Sequence, residues 1–133
     1  MPLTYRWYDE DQTIMYYKIT PPFDWDEFFA FSQNANDNLI PAVPHNLPIH
    51  AIADFTELTS LPPQILQKSD EIKSYHNPRL DQIVVIHKNA IFRLVINIVR
   101  RTGHPLGRQL KSVASIEDAV VFLAQFKHTE VIG

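Results

Sequence analysis

The sequence contains no cysteine and only three glycines, and both shortages restrict what this protein can be. Without cysteine there is no disulfide bond, no thiolate nucleophile and no zinc site built on thiolates. The glycines, at positions 103, 107 and 133, form neither a phosphate-binding loop nor a G-x-G-x-x-G dinucleotide fingerprint. There is also no G-x-S-x-G turn of the kind that carries a hydrolase serine. The sequence therefore excludes the commonest nucleotide-binding and serine-hydrolase motifs.

Long apolar runs and a surplus of basic residues are also missing. No segment approaches the roughly 20 apolar residues of a membrane-spanning helix, and the N-terminal stretch MPLTYRWYDEDQ lacks the pattern of a signal peptide. Twelve Lys and Arg residues against 15 Asp and Glu residues give a net charge of −3, which argues against a broad nucleic-acid-binding surface. We therefore expect a cytoplasmic protein with no membrane span and no nucleic-acid partner.

What the chain does have is a hydrophobic fraction of 45% in 133 residues, which suits one globular core. No linker in the sequence is long enough to separate two domains. We therefore expect residues 1–133 to form a single domain.

The segment Asp81–Gly103, DQIVVIHKNAIFRLVINIVRRTG, is the most informative part of the chain. The unbroken β-branched run Ile83–Ile86 predicts a strand that is covered on both faces, as in a parallel sheet. A helical period follows, with Asn89 as the expected N-cap and Gly103 as the expected C′ residue. The apolar residues expected to cover the strand are Ile91, Leu94, Val95 and Ile98. The expected outer side carries Arg93, Asn97, Arg100 and Arg101.

The rest of the chain repeats this alternation of strand and helix. A hairpin, two further strands and three further helices are indicated by residue type, proline positions and capping residues. Their expected ranges are Leu3–Tyr8, Thr13–Thr20, a helix capped by Asp24, Ile49–Phe55, Pro62–Tyr75 with a cap at Ser60 or Leu61, Arg108–Val113, and a helix capped by Ser115. The predicted fold class is α/β in the order ββαβαβαβα, with a mostly parallel five-stranded sheet and an antiparallel first strand.

This pattern resembles the SpoIIAA-like fold group, which includes STAS domains and the lipid-binding CRAL-TRIO domains. The resemblance covers residues 3–126 and is strongest to small bacterial STAS-like proteins of no assigned role. It rests on the hairpin TYRWYDEDQTIMYYKIT, the helix start DWDE, the strand end IADFTEL, the strand–helix VVIHKNAIFRLVINIV and the helix SIEDAVVFL. It implies helices crowded on one face of the sheet and a non-enzymatic protein-interaction or regulatory module. The segment Asp54–Pro62 lacks the D-S-S-G turn of phosphorylated antagonists, so no phosphorylation switch is implied.

Polar side chains follow two of the predicted parallel strands. Because ligands bind open α/β sheets at the carboxyl ends of the strands, this edge is the candidate ligand-binding site. Its residues are Asp54, Thr56, Thr59, Ser60, His87, Lys88 and Asn89. Helix capping by Ser60 and Asn89 is the alternative explanation, and an enzyme using Asp54 and His87 as an acid–base pair is a third.

The six histidines suggest a metal site only by their number. They are His45, His50, His76, His87, His104 and His128. None is part of an H-x-H or H-E-x-x-H motif, and they fall in different predicted elements. We therefore predict no metal site, no cofactor and no catalytic residue.

Aromatic residues are concentrated in the first quarter of the chain, where one helix and one hairpin cannot bury all of them. Exposed aromatic residues are enriched in interface cores, so they predict a homodimer or another protein partner. The candidate interface consists of Tyr5, Trp7, Tyr8, Tyr16, Tyr17 and Phe31. The alternative function is a small-molecule or lipid-binding domain of the same fold.

Overall fold

A computed structural model describes residues 3–101 and 108–126 of the chain. Five strands form one sheet in the order of the sequence, with β1 antiparallel to β2 and every later neighbouring pair parallel. The strands are β1 (Leu3–Trp7), β2 (Ile14–Ile19), β3 (Ile49–Asp54), β4 (Leu80–Ile86) and β5 (Leu110–Val113). The predicted fold class is confirmed.

The helices of the described residues lie on both faces of this sheet. They are α1 (Trp25–Asn34), which continues as a π-helical turn Ala35–Leu39, then α2 (Ser69–Lys73), α3 (Ala90–Arg100) and α4 (Ile116–Ala124). Helices α1 to α3 connect successive parallel strands and pack on one face, because right-handed crossovers between strands that advance in one direction stay on one side. Helix α4 follows the last strand and packs on the opposite face, hereafter the α4 face.

Strand β4 is covered on both faces, as the unbroken apolar run predicts. Val84 and Ile86 are fully buried and pack in one cluster with Ala119 and Leu123 of α4. Val85 points to the other face and belongs to the cluster that α1 to α3 cover. The β4 side chains therefore tie the two layers of helices to one sheet.

Three helix starts follow the predicted capping residues. The Asp24 carboxylate accepts a hydrogen bond from the Asp26 amide at 2.9 Å, and the Asn89 side chain accepts one from the Ile91 amide at 2.8 Å. The Ser115 hydroxyl accepts one from the Asp118 amide at 3.1 Å. Each bond satisfies an amide that the first helical turn leaves without a partner.

The helix expected over Pro62–Tyr75 is wrong in length. Only Ser69–Lys73 is α-helical, and Lys68 precedes it with no side-chain cap. Gln64 has a φ of 57°, which is left-handed and interrupts a right-handed helix. Ser60 and Leu61 both lie well before Ser69 in the chain, so the predicted cap at either residue is also wrong.

The orientation predicted for α3 is wrong as well. Its buried side chains are Phe92, Val95 and Ile96, while three residues assigned to the core face are exposed. These are Ile91, Leu94 and Ile98. The Phe92 ring determines the orientation, because it lies 5.2 Å from the Phe55 ring and 4.4 Å from the His87 ring, measured between ring centroids.

Some sequence-based predictions lie outside the described residues. These are the C′ role of Gly103, the histidines at positions 104 and 128, and the end of the chain after residue 126. Within the described ranges, no helix is long and apolar enough to cross a membrane.

The Val84→Asp substitution should abolish folding. Val84 is 0% exposed, and burying an isolated carboxylate costs several kcal/mol, which is comparable to the stability of a whole domain. Thermal unfolding followed by circular dichroism measures the effect. Val121→Asp on α4 is the matched control, since Val121 is 69% exposed, and its cost should stay within about 0.5 kcal/mol. A cooperative Val84→Asp protein with an unchanged Tm would contradict a central position for β4.

Candidate functional site

The sheet divides the polar site that the sequence predicts at the strand ends. Asp54 follows Ala53 in β3, so its side chain lies on the α4 face beside Tyr16 and Lys18 of β2. His87 follows Ile86 on β4 and lies on the other face, where its ring stacks on Phe92 of α3. The acid–base pair considered from the sequence is therefore not assembled.

Asp54 is held by three hydrogen bonds and is 7% exposed. The Thr56 amide and hydroxyl donate to Oδ1 at 2.9 and 2.6 Å, and the Tyr16 hydroxyl donates to Oδ2. Next to this group, Lys18 Nζ lies 3.0 Å from Glu57 Oε1. The arrangement ties the turn after β3 to the neighbouring strand β2.

The electrostatics of this cluster keep Asp54 ionised and Tyr16 neutral. Burial opposes ionisation of Asp54, but the hydrogen bonds from Thr56 and Tyr16 outweigh it, so the pKa of the carboxyl is lowered. Burial, followed by the hydrogen bond to the Asp54 carboxylate and its charge, raises the pKa of the Tyr16 phenol. Tyr16 is therefore a hydrogen-bond donor to a carboxylate.

His87 is a buried, neutral side chain. It is 2% exposed, and its Nδ1 accepts a hydrogen bond from the Asn89 amide at 2.8 Å. Because Nδ1 accepts, the ring proton is on Nε2, which is buried without a partner in the part of the chain that the structure describes. Burial, and then the nearby Arg93 guanidinium, lowers the pKa of His87.

The other predicted site residues are either engaged in local capping or exposed. Asn89 caps α3, while Thr59, Ser60 and Lys88 are exposed at the surface. Within residues 3–101 and 108–126, no group of three or more His, Asp or Glu residues is placed to hold a metal ion.

The aromatic residues of the predicted interface are divided between two faces of the hairpin. Tyr5 is 49% and Tyr8 is 37% exposed, and they lie on opposite faces, because Tyr5 packs near Phe31 and Tyr8 packs near Tyr16. The Phe31 ring packs against both Tyr5 and Tyr17, with centroid distances of 5.3 and 4.8 Å. Trp7 is half-buried and Tyr16 is bonded to Asp54. Only Tyr5 and Tyr8 therefore remain as exposed members of the predicted patch.

Two further features were not identified from the sequence. The first is a row of exposed aliphatic side chains on α3, hereafter the α3 stripe, which consists of Ile91, Leu94 and Ile98. They are 60%, 59% and 48% exposed. The helical period contained this signal, since the apolar arc of α3 is wider than a single strand can cover.

The second feature is a cavity of about 150 Å³ between the sheet and helices α1 to α3. Ala51 and Ala53 of β3 form part of its floor, and Ile65, Ile72 and Tyr75 are part of its cover. The paired small residues in an otherwise bulky strand are the sequence signal for it.

Comparisons with known proteins show which fold this architecture is similar to. No family model matches the chain, and no curated protein matches it. Among solved structures, it is similar to an uncharacterised protein of the DUF3478 family with a SpoIIAA-like fold from Shewanella loihica PV-4. The TM-score is 0.59 at 15% sequence identity, and the match covers 91% of each chain. This protein has a SpoIIAA-like fold. The SpoIIAA-like assignment made from the sequence is thereby confirmed for the fold.

The free energy of unfolding should fall as the pH is lowered through the titration range of His87. The folded-state pKa of His87 is lowered, so the unfolded chain binds the proton more readily below its own pKa of about 6.5. The contribution of neutral His87 to the free energy of unfolding is fully present above that pH and is lost as the pH falls below it. His87→Phe, which cannot titrate, should show a smaller loss between about pH 7.5 and 5 in urea unfolding. An equal loss in both proteins would contradict a buried, neutral His87.

Proposed function

We propose that this SpoIIAA-like chain is a non-enzymatic protein-interaction module that binds an acidic amphipathic helix of a partner protein. The observation that carries the proposal is the α3 stripe. Large exposed apolar side chains that lie next to one another, with charged residues around them, are typical of protein interaction sites.

The α3 stripe has the geometry of a helix-binding surface. Ile91, Leu94 and Ile98 have the spacing i, i+3, i+7, which places them within one narrow arc of the helix. The same spacing, with Ile at the first position and Leu at the second, packs one helix against another in two-stranded coiled coils. By contrast, Leu66 is 53% exposed but lies outside α3, so it does not extend the stripe.

The charges around the stripe select an acidic partner. Helix α3 contains Arg93 and Arg100 but no Asp or Glu, Arg101 follows it directly, and Lys88 precedes it. Arg93 donates to the His87 carbonyl at 2.8 Å, and neither Arg100 nor Arg101 forms an ion pair with another described residue. Antiparallel pairing of two α3 helices would place these arginines near the positive N-terminus of the second copy. Like charges therefore disfavour self-pairing here and favour glutamate or aspartate on the partner.

The division of the polar residues supports a binding role. Asp54 is occupied by Tyr16 and Thr56, and His87 is buried against α3 on the other face of the sheet. Because they lie on opposite faces of the sheet, Asp54 and His87 cannot act together on one substrate.

A pair of synthetic helical peptides tests the proposal. Each has about 18 residues, or five helical turns, with leucines at i, i+3 and i+7, and the flanking positions are glutamate in one and lysine in the other. Fluorescence anisotropy of the labelled peptides measures binding to the full chain. The glutamate peptide should bind at least about tenfold more tightly than the lysine peptide, and added salt should weaken it.

Two variants of the protein locate the binding surface. Leu94→Asp should abolish binding of the glutamate peptide, because it places a carboxylate in the centre of the α3 stripe. Leu66→Asp is the matched control and should leave the dissociation constant unchanged, since Leu66 is an equally exposed leucine outside the stripe. Equal affinity for both peptides, or unchanged binding by Leu94→Asp, would contradict the proposal. Binding of anionic lipid vesicles in place of either peptide would assign the stripe to a membrane surface instead.

A second candidate partner is another copy of the chain, which would join through the exposed Tyr5 and Tyr8. Strand β1 is an edge of the sheet, and an edge strand with exposed aromatic residues can pair across a two-fold axis. Sedimentation equilibrium should then give twice the mass of one 15.4 kDa chain. Tyr8→Glu should weaken the dimer, and Leu94→Asp should not. A monomeric wild-type protein at micromolar concentration would rule this candidate out.

A further inference from the structure

The cavity beneath α1 exists because strand β3 is lined with small residues on that face. Ala51 and Ala53 point toward the helices, while the flanking strands carry larger side chains such as Tyr17 and Val85. An alanine methyl group does not reach the helices that the larger neighbours hold away from the sheet. The result is a space of about 150 Å³ between the sheet and the helices.

The cover of this cavity contains little regular helix. It includes the segment 62–75, in which only Ser69–Lys73 is helical, and α2 has neither a buried residue nor a side-chain cap. The segment contacts the core through Ile65 and Ile72 and through the Tyr75 ring, whose centroid lies 5.2 Å from that of Phe29. It is also held to α1 and the turn after it by hydrogen bonds from Trp25 Nε1 to the Pro63 carbonyl at 2.6 Å and from Asn36 Nδ2 to the Tyr75 carbonyl at 3.0 Å. Because most of this segment is neither helix nor strand, its local opening would disturb less structure than opening of the sheet, and it is the expected route of entry for a small molecule.

The lining of the cavity is mostly apolar and aromatic, with Ser32, Asn36 and Ser69 as its polar members besides the tyrosines and Trp25, and no charged side chain contributes to it. Its rings include Tyr17, Phe28, Phe31, Phe55, Phe92 and Tyr75. Tyr17 also brings a hydroxyl group, for which the described residues supply no hydrogen-bond partner. Burial raises the pKa of the Tyr17 phenol, so it stays neutral and can donate a hydrogen bond.

We propose that this cavity binds a neutral, single-ring aromatic molecule whose one polar oxygen accepts a hydrogen bond from Tyr17. The volume sets the size of the ligand, because an apolar cavity of about 150 Å³ accepts benzene, while drug-sized ligands occupy at least about 300 Å³. The uncharged lining excludes carboxylates and amines, whose burial without a counter-ion is costly. The aromatic walls favour a ring, which can stack or pack edge-on against them.

Fluorine NMR of two probe molecules tests the proposal on the full chain. The probes are fluorobenzene and 4-fluorophenol, which differ only in the hydroxyl group. Both should bind. Tyr17→Phe should reduce the affinity for 4-fluorophenol by at least about fivefold, because the hydroxyl of the bound probe loses its hydrogen-bond partner. The same substitution should change the affinity for fluorobenzene by less than about twofold.

Variants that fill the cavity distinguish it from the protein surface. Ala53→Leu places a larger side chain on the floor of the cavity and should reduce the affinity for both probes by more than about tenfold. Ala124→Leu is the matched control, since Ala124 is exposed on α4 and does not line the cavity. If Ala53→Leu does not fold, Ala51→Val makes a smaller change at the same floor and should still weaken both probes.

Three results would overturn the proposal. The first is that neither probe binds the wild-type protein. The second is that both probes bind the filled variants as tightly as they bind the wild type. The third is that Tyr17→Phe changes the affinity for both probes equally. Leu94→Asp should leave both probes unaffected, because Leu94 does not line the cavity, so this test is separate from that of the α3 stripe.

Discussion

The parallel pairing of β3 with β4 is the constraint on which the rest of the structure depends. Both strands are covered on both faces, and Ile52, Val84 and Ile86 are each 0% exposed. Two strands buried in this way cannot leave a backbone amide or carbonyl without a partner, so their register is tightly determined. Every other element is placed relative to this pair, with α1 to α3 on one face and α4 on the other.

Alternation along these strands also separates the polar groups that the sequence brings close together. Asp54 ends β3 on the α4 face and is satisfied by Tyr16 and Thr56. His87 follows β4 on the opposite face and is satisfied at Nδ1 by Asn89. The strand ends are neighbours along the sheet edge, but the sheet itself lies between their side chains. This separation is why the candidate functions rest on apolar surfaces rather than on an acid–base pair.

Helix α3 connects the two apolar features of the molecule. Phe92 faces inward, lines the cavity and stacks on His87, whereas Leu94, two residues later, is 59% exposed on the α3 stripe. An apolar arc wider than the contact with the sheet leaves part of the helix exposed to solvent. The arginines that flank the α3 stripe give the exposed face of the helix a positive charge in addition to its apolar surface.

The sequence by itself determined the order of the elements, the parallel sheet and three of the helix caps, because these depend on local periodicity and on single capping side chains such as Asp24, Asn89 and Ser115. The tertiary structure alone decided which part of the apolar arc of α3 is buried, since Phe92 competes with Ile91 and Leu94 for the same space. It also decided that Gln64 turns left-handed and shortens α2. The small residues Ala51 and Ala53 are visible in the sequence, but whether they leave a cavity depends on the residues, distant in sequence, that pack over them.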